Sequence, residues 1–251
     1  MKYSLICCFS FVLPLLFAAC SDEDSSVVSP SEELSSSQVA SSSSRKKTTK
    51  SSSSVEYSSS AEQSVIEPST VIKGSITDPR DGQTYKTVII GSQTWMAQNL
   101  NYETEKSFCY DDDPANCTKL GRLYKWDAAI SACPSGWHLP KMAEFEQLIN
   151  AVGGERMAGA KLKSTSGWSV YKGEDGNGTD DYSFSALPAG EIAFSGNYVG
   201  QDEELLIANF WSSKESTNVF ASYMSVKNCD SFATLQYNYK HYGFSVRCLK
   251  D

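Results

Sequence analysis

The feature that most constrains the fold of this chain is an abrupt change of composition near residue 70. Between Ser21 and Thr70, 21 of the residues are Ser, and Tyr57 is the one aromatic residue. Such a segment buries too little apolar surface to offset its chain entropy, so we expect residues 20–72 to form a disordered Ser-rich linker. Residues 73–251 carry nearly all of the Trp, Phe, Tyr and Gly, and this length suffices for one compact domain.

The N-terminus has the pattern of an export signal with a lipid attachment site. A short apolar run follows Lys2, and small residues lead to Cys20; the run is too short for a membrane span. Residues 17–20, Phe-Ala-Ala-Cys, fit a bacterial lipobox, in which the Cys20 thiol takes the lipid. The Asp/Ser tail that follows favours a lipoprotein signal peptide at 1–19 over a plain signal cleaved near Ala19. We therefore expect an outer-membrane lipoprotein of the cell envelope, whose domain faces either the periplasm or the exterior.

Charge and missing motifs limit the chemistry of the chain. The net charge is −8, and this acidic balance argues against nucleic acid as a partner. No P-loop, HExxH or GxSxG motif occurs, and His138 and His241 are the only two histidines. No CxxC spacing occurs, which argues against a zinc site. A glycosidase carboxylate pair stays open, because acids are plentiful and their separation in space is not readable from the sequence.

Periodicity predicts an α+β domain with a twisted antiparallel sheet, two main helices and long loops. Polarity alternates on both sides of the turn at 91–93, which predicts a hairpin of residues 84–90 and 94–98. One helix face is predicted by four apolar residues at helical spacing: Leu123, Trp126, Ala129 and Ile130. After a Gly-rich polar stretch, short strands are predicted again within residues 209–251.

A further helix is predicted directly after the segment CPSGWHLP, with Pro140 in its first turn. Its apolar face holds three residues at helical spacing: Phe145, Leu148 and Ile149. A Lys side chain has no acceptor, so Lys141 cannot cap this helix, and Glu144 is expected to make half of a capping box.

The run EDGNGTDD alternates oxygen-bearing side chains with glycines, which is the composition of a loop that wraps a hard cation. The candidate ligands are Asp175, Asn177, Asp180 and Asp181. The run lacks the EF-hand layout and its closing Glu, so turn chemistry of Gly and Asp is the alternative. Apart from calcium at this loop, we expect no cofactor.

Three aromatic residues in or near the Gly-rich loops are the candidates for a ligand face: Trp168, Tyr171 and Tyr198. Flat rings suit sugar rings, and loops commonly carry binding residues. The other four Trp have apolar neighbours and are predicted to be core: Trp95, Trp126, Trp137 and Trp211. Scattered surface aromatics that bind nothing are the alternative.

Five blocks, in this order, carry a resemblance to a known family: VIIGSQTWMAQNL, GRLYKWDAAISACPSGWHLP, DDYSFSALPAGE, FWSSKE and GFSVRCLKD. Together they make residues 73–251 similar to the Fibrobacter succinogenes major paralogous domain. That family resembles in turn the formylglycine-generating sulfatase-modifying fold and the C-type lectin-like fold. The resemblance implies an exported, often lipid-anchored domain of largely unknown activity. Sulfatase-modifying enzymes use a reactive cysteine pair near the C-terminal end, and since no such pair is found here, that activity is not carried over.

The cysteines of an exported chain meet an oxidising compartment and are expected to pair. Cys109 and Cys117 flank a short polar loop and are expected to pair locally. Lectin-like folds carry a staple between the helical region and the final strand. By that resemblance, Cys133 is expected to pair with Cys248.

The roles of two cysteines stay open at this point. Cys229 has no predicted disulfide partner and is interpreted as a buried thiol. Cys133 acting as a nucleophile with His138 is the alternative to the staple, but a disulfide would consume the sulfur.

These features predict a lipid-anchored envelope protein that displays a lectin-like binding domain for a polysaccharide or another surface protein. The alternatives are an enzyme of the sulfatase-modifying-like or glycan-active class, and a purely structural or adhesive surface protein. The Glu-Pro-Asn sugar motif of lectins is absent, which argues against sugar binding through calcium.

Overall fold

The computed structural model of the chain describes residues 65–201 and 205–251. These residues belong to one compact unit, which spans Glu62–Asp251. The predicted signal peptide, the lipid attachment site at Cys20 and the linker up to residue 64 lie outside the described residues. No helix in the described part of the chain is long and apolar enough to cross a membrane.

The first sheet contains the predicted hairpin. Its five antiparallel strands are, in spatial order, β1 (Ile72–Thr77), β2 (Thr84–Ile90), β3 (Gln93–Met96), β13 (Leu249–Lys250) and β6 (Trp137–His138). Strands β2 and β3 turn at Gly91, whose φ of 62° is readily adopted by Gly. Val88 and Trp95 are paired across the two strands, and both are buried. The predicted hairpin is therefore confirmed.

Two further antiparallel sheets complete the α+β fold. One has the order β4 (Ser107–Phe108), β5 (Leu123–Lys125), β12 (Gly243–Phe244), β7 (Glu191–Ile192) and β8 (Tyr198–Val199). The other has the order β11 (Ala233–Tyr239), β10 (Phe220–Lys227) and β9 (Ile207–Glu215). The predicted α+β class with antiparallel sheets is confirmed.

The described residues form four α-helices: α1 (Pro114–Leu120), α2 (Trp126–Ala129), α3 (Met142–Ala151) and α4 (Glu155–Leu162). Helix α3 buries the three predicted residues of its apolar face, and Phe145 stacks on Trp95 with ring centroids 5.2 Å apart. Pro140 precedes the N-cap Lys141, so it lies just before the first turn rather than in it. Lys141 N–H donates to Glu144 Oε2 at 2.6 Å, which confirms the predicted half of the capping box.

The helix predicted across residues 123–130 is wrong in its first part. Leu123–Lys125 form β5, which pairs with β4 and β12, and the short α2 begins only at Trp126. The apolar residues have helical spacing, but pairing with β12, more than a hundred positions away, stabilises a strand here instead. Ile130, expected on the apolar face, is 42% exposed.

Helix α4 was not predicted from the sequence, and it has Gly159 in its middle. Gly159 is a poor helix former, but a Cβ at this position would lie 2.1 Å from Phe232 O. The glycine therefore lets α4 pack directly on the backbone that leads into β11.

The folded unit begins earlier than residue 73. Ile66 N–H donates to Ala151 O at 2.7 Å, and Tyr182 Oη–H donates to Ile66 O at 2.7 Å. Ile66 and Val71 also pack against the core. Residues 65–72, which the composition assigns to the linker, are thus part of the domain, because two apolar side chains in a polar segment suffice to dock it.

The C-terminal segment connects all three sheets. β12 lies between β5 and β7, Ser245 forms a bridge with Phe210 of β9, and β13 lies between β3 and β6. Arg247, in the middle of this segment, is fully buried. Its guanidinium donates to four oxygens: Asn99 Oδ1, Met96 O, Phe184 O and Ser185 O. A segment that pairs with three sheets around one buried cation is the central element of the fold.

Candidate functional site

Both predicted disulfides are present in the structure. Cys109 and Cys117 close a short loop, with Cα atoms 4.8 Å apart. Cys133 joins Cys248 with Cα atoms 5.8 Å apart, which ties the segment before β6 to the last strand. Cys133 is therefore not a free nucleophile. Cys229 is only partly buried, so the interpretation of a buried thiol is wrong.

His138 bridges two carboxylates instead of a thiol. Its Nδ1 lies 2.6 Å from Asp251 Oδ1, and its Nε2 lies 3.1 Å from Glu144 Oε2. When both ring nitrogens are protonated, each donates to a carboxylate oxygen. The imidazole thus links the C-terminal residue to the start of α3, which is a structural role.

The Gly/Asp loop makes turn contacts. Asp175 Oδ1 accepts from the backbone N–H and the side-chain amide of Asn177 at 2.9 and 2.8 Å. Asp180 accepts from the N–H and the hydroxyl of Ser185 at 2.7 and 2.6 Å, and Asp181 is exposed. In the described ranges, no group of three or more His, Cys, Asp or Glu is placed to hold a metal ion. The contacts of Asp175 and Asp180 are those that the turn alternative predicts.

The glycines of this loop serve close packing. A Cβ at Gly176 would lie 2.2 Å from Ser169 O, and one at Gly178 would lie 2.3 Å from Lys163 O. The alternation of Gly with Asp therefore follows from backbone contacts that exclude a side chain, and this explains the composition without a cation.

The three predicted ligand-face aromatics do not form one surface. Trp168 is only 3% exposed, and its indole N–H donates to Ser164 Oγ and Ala186 O, each at 3.1 Å. The prediction for Trp168 is wrong, because the Gly-rich loop folds the ring into the core. Tyr171 lies in a bridge with Glu174, whereas Tyr198 lies in β8.

Tyr198 has contacts on two sides. Its hydroxyl donates to Asp112 Oδ1, and its ring lies 5.2 Å from that of Tyr110. Asp113, next to Asp112, caps α1 by accepting from Ala115 N–H at 2.9 Å. The acidic run between the first pair of cysteines thus holds α1 and β8 together.

An open groove lies beside α2. It has a volume of about 410 Å³ and is lined by Trp126, Asp127, Asn218, Val219, Lys240 and His241. These residues come from three chain segments: the start of α2, the turn between β9 and β10, and the turn after β11. Lys240 O accepts from Trp126 N–H at 3.0 Å, and this bond brings the first and third segments together.

An exposed aromatic ridge stands at one side of the groove. We define the ridge as Phe194, Tyr239 and His241. Phe194 is 62% and Tyr239 39% exposed, and His241 is exposed as well. The Phe194 ring stands edge-to-face with both neighbours, with centroids 4.2 Å from His241 and 5.6 Å from Tyr239.

The ridge is continuous with the core. His241 contacts Tyr242 at 6.2 Å between ring centroids, and Tyr242 contacts Phe244 at 5.9 Å. Phe244 in turn lies 4.2 Å from the fully buried Trp211. A chain of ring contacts therefore connects the exposed rings to the core.

Asp127 and Lys240 in the groove lining each form an ion pair with a neighbouring residue. Lys106 Nζ lies 2.7 Å from Asp127 Oδ2, and Lys106 lowers the pKa of Asp127. Lys240 pairs with Glu215, and its Nζ also lies 4.4 Å from the centroid of the Trp126 ring. The Trp126 indole N–H donates to Ser212 O at 2.8 Å, which fixes the ring at the groove wall.

Trp126 and the ridge are functional candidates that sequence reasoning missed. The apolar neighbours of Trp126 indicated a core position, yet the residue is only half-buried and lines the groove. Phe194 and His241 carry no motif. The remaining signal is the clustering of aromatic residues with Lys240 and His241 in YNYKHY.

Glu191, in β7, is a partly buried residue outside the groove lining. Asn209 Nδ2–H donates to its Oε2 at 2.6 Å. Burial raises the pKa of Glu191 to about 7, and the Asn209 bond and the Lys227 charge oppose this shift. The group is therefore titrated near neutral pH.

We expect Glu191→Gln to stabilise the domain progressively as the pH rises, by up to about 3 kcal/mol above pH 7 relative to pH 5. The folded chain holds this proton to about pH 7, whereas an unfolded Glu releases it near 4.5. The wild-type chain thus loses stability between these values, and the Gln variant does not. Urea unfolding at several pH values measures the difference, with the exposed Glu146→Gln as control. A difference that stays constant with pH would contradict this account.

The fold and the site together define a disulfide-bonded α+β domain with an open aromatic groove. Residues 88–250, more than half of the chain, match the family described as the Fibrobacter succinogenes major domain. The chain belongs to this family, and the resemblance carried by the five sequence blocks is confirmed. No curated protein and no solved structure matches the chain.

Proposed function

We propose that this chain is a lipid-anchored protein of the cell envelope that acts by binding, through the groove beside α2. The signal at 1–19, the attachment site at Cys20 and the Ser-rich linker support export and display. The groove with its exposed ridge is the observation that carries the binding role. Rigid, exposed rings next to polar groups are typical of ligand sites, because they offer contact area at a low cost in conformational entropy.

The lowered pKa of the carboxyl group in the groove favours a binding role over catalysis. A glycosidase needs a carboxyl group that keeps its proton near neutral pH. Lys106 lowers the pKa of Asp127, so Asp127 is a poor general acid. Glu191, whose pKa is raised to about 7, is not among the groove residues.

We also propose that the domain is a variant of the C-type lectin-like fold. The first and last strands of the domain, β1 and β13, lie in one sheet, and a disulfide ties Cys133 to the final strand region at Cys248. These features support the relation, which an experimental structure at atomic resolution would test by its strand order.

The test of the binding role is a glycan and surface-protein array probed with the full chain in detergent, with and without calcium. We expect retention on a subset of spots, the same retention with calcium removed, and no soluble products. Release of shortened products would replace the binding role by an enzymatic one. Failure to be retained anywhere would favour the structural or adhesive alternative.

A further inference from the structure

We infer that the groove beside α2 takes a neutral saccharide chain, with one sugar ring stacked on the ridge of Phe194, Tyr239 and His241. This inference rests on the proposed binding function and adds the location of the site and the class of its ligand. Four observations carry it: the size of the groove, the exposed rings, the mixture of polar groups and the pairing of the charges.

The size of the groove suits a small ligand or a short stretch of a polymer. Its volume of about 410 Å³ lies within the range of roughly 300–1,000 Å³ that small-molecule sites occupy. A protein partner would need to bury on the order of 800 Å² on this side around an apolar centre. Four of the six lining residues carry polar or charged side chains, which disfavours such a partner.

A second, smaller groove extends the site along the surface. It has a volume of about 240 Å³ and is lined by Thr104, Glu105, Lys106, Asp127, Ala128 and Ser131. Asp127 lines both grooves, and its side chain is 59% exposed. Two neighbouring open grooves accommodate successive units of a chain better than a single compact ligand.

The ridge supplies apolar contact for the faces of sugar rings. Tyr239 and His241 lie at an angle of 32° to each other with centroids 5.3 Å apart. Phe194 stands edge-to-face with both, at 67° and 68°. Stacking on such rings recovers apolar area without requiring a charged ligand.

The groove lining supplies both acceptors and donors, as sugar hydroxyls require. The Asp127 carboxylate accepts, the Lys240 ammonium donates, and the Asn218 amide can do both. Hydrogen bonds to charged groups are stronger than neutral ones, so Asp127 and Lys240 would fix the orientation of the bound ring.

The pairing of charges favours a neutral chain over an acidic one. Each groove cation is already matched by an acid: Lys106 by Asp127 and Lys240 by Glu215. Lys125 Nζ donates to His241 O, so this ammonium binds the backbone of the ridge. An acidic polymer would have to displace these partners or approach their carboxylates, and the whole chain is itself negative at −8.

The test measures affinity by calorimetry, using the full chain in detergent. The probes are neutral hexasaccharides of glucose, mannose or xylose and an acidic hexasaccharide of galacturonic acid. Phe194→Ala and His241→Ala remove exposed rings, so both variants are expected to fold, which circular dichroism verifies. Tyr171→Ala removes an aromatic residue outside the groove and is the matched control.

We expect at least one neutral probe to bind, each ridge variant to weaken it about tenfold or more, and Tyr171→Ala to change it less than about twofold. Full binding by both ridge variants would overturn the site, and tighter binding of the acidic probe would overturn the ligand class; either result leaves the binding function intact. If no hexasaccharide binds, the inference fails, and retention on protein spots of the array decides separately whether the binding function fails with it.

Discussion

Replacing Arg247 with Ala is expected to cost the domain about 4 kcal/mol or more of unfolding free energy. The guanidinium is fully buried and donates to Asn99 Oδ1 at 2.9 Å and to Ser185 O at 3.0 Å, as well as to Met96 O and Phe184 O. Each buried acceptor left unpaired costs about 1–3 kcal/mol, and the lost side chain also leaves a cavity.

Arg247 also packs against two aromatic rings. Its guanidinium carbon lies 4.5 Å from the Phe184 ring centroid and 5.4 Å from that of Phe210. Burial lowers the pKa of Arg247, and the nearby Asp180 opposes that shift. A Lys has a single ammonium and cannot reach four acceptors in a plane. Arg247→Lys is therefore expected to lose most of the stability that Arg247→Ala loses.

Urea unfolding with the disulfides intact measures this effect. The matched control is Arg156→Ala, since Arg156 is exposed on α4, and we expect this change to stay within about 0.5 kcal/mol. If Arg247→Ala does not accumulate in folded form, Arg247→Lys provides the measurable loss. Equal unfolding midpoints for the Arg247 and Arg156 variants would show that the buried cation does not hold the three sheets together.

Removing the Cys133–Cys248 disulfide is expected to cost about 4 kcal/mol. The bond joins residues separated by 115 positions, so it restricts a long loop of the unfolded chain. The matched control is removal of Cys109–Cys117, whose separation is 8, and for which the same reasoning gives less than about 3 kcal/mol.

Two double Cys→Ala variants, each lacking one of the two disulfides, measure the two contributions separately. Cys248 is fully buried, so Ala is the replacement that disturbs its packing least. The unfolding free energies of the two double variants and the wild-type chain are compared in urea. An equal or larger loss from the short loop would contradict the role of the long disulfide as the main covalent restraint on the C-terminal segment.

The parts of the fold that follow from local pattern were predictable. The hairpin of β2 and β3 and the apolar face of α3 depend on alternation and helical spacing within a dozen residues, and both are present. The pairing of Cys133 with Cys248 required the family resemblance, because nothing in their spacing indicates it. The strand at 123–125 was not predictable, since one of its two partners, β12, begins only at Gly243.

The candidate site was hidden for a similar reason. Its residues come from four separate parts of the chain, near positions 126, 194, 218 and 240, which only the folded backbone brings together. Trp168 and Trp126 exchange their predicted roles: the first lies in a Gly-rich loop but is buried, and the second has apolar neighbours but lines the groove. Burial of a single aromatic residue depends on tertiary packing, which its sequence neighbours do not determine.

Binding of ligand in the groove beside α2 is tested most directly by nitrogen–proton NMR spectra of the chain, titrated with a neutral hexasaccharide. We expect shifts of the Trp126 indole signal and of the Val219 and His241 amide signals. The indole signals of the buried Trp95 and Trp211 should stay in place. Shifts concentrated instead around Tyr171 and the Gly/Asp loop, with the Trp126 and His241 signals unmoved at saturation, would contradict it.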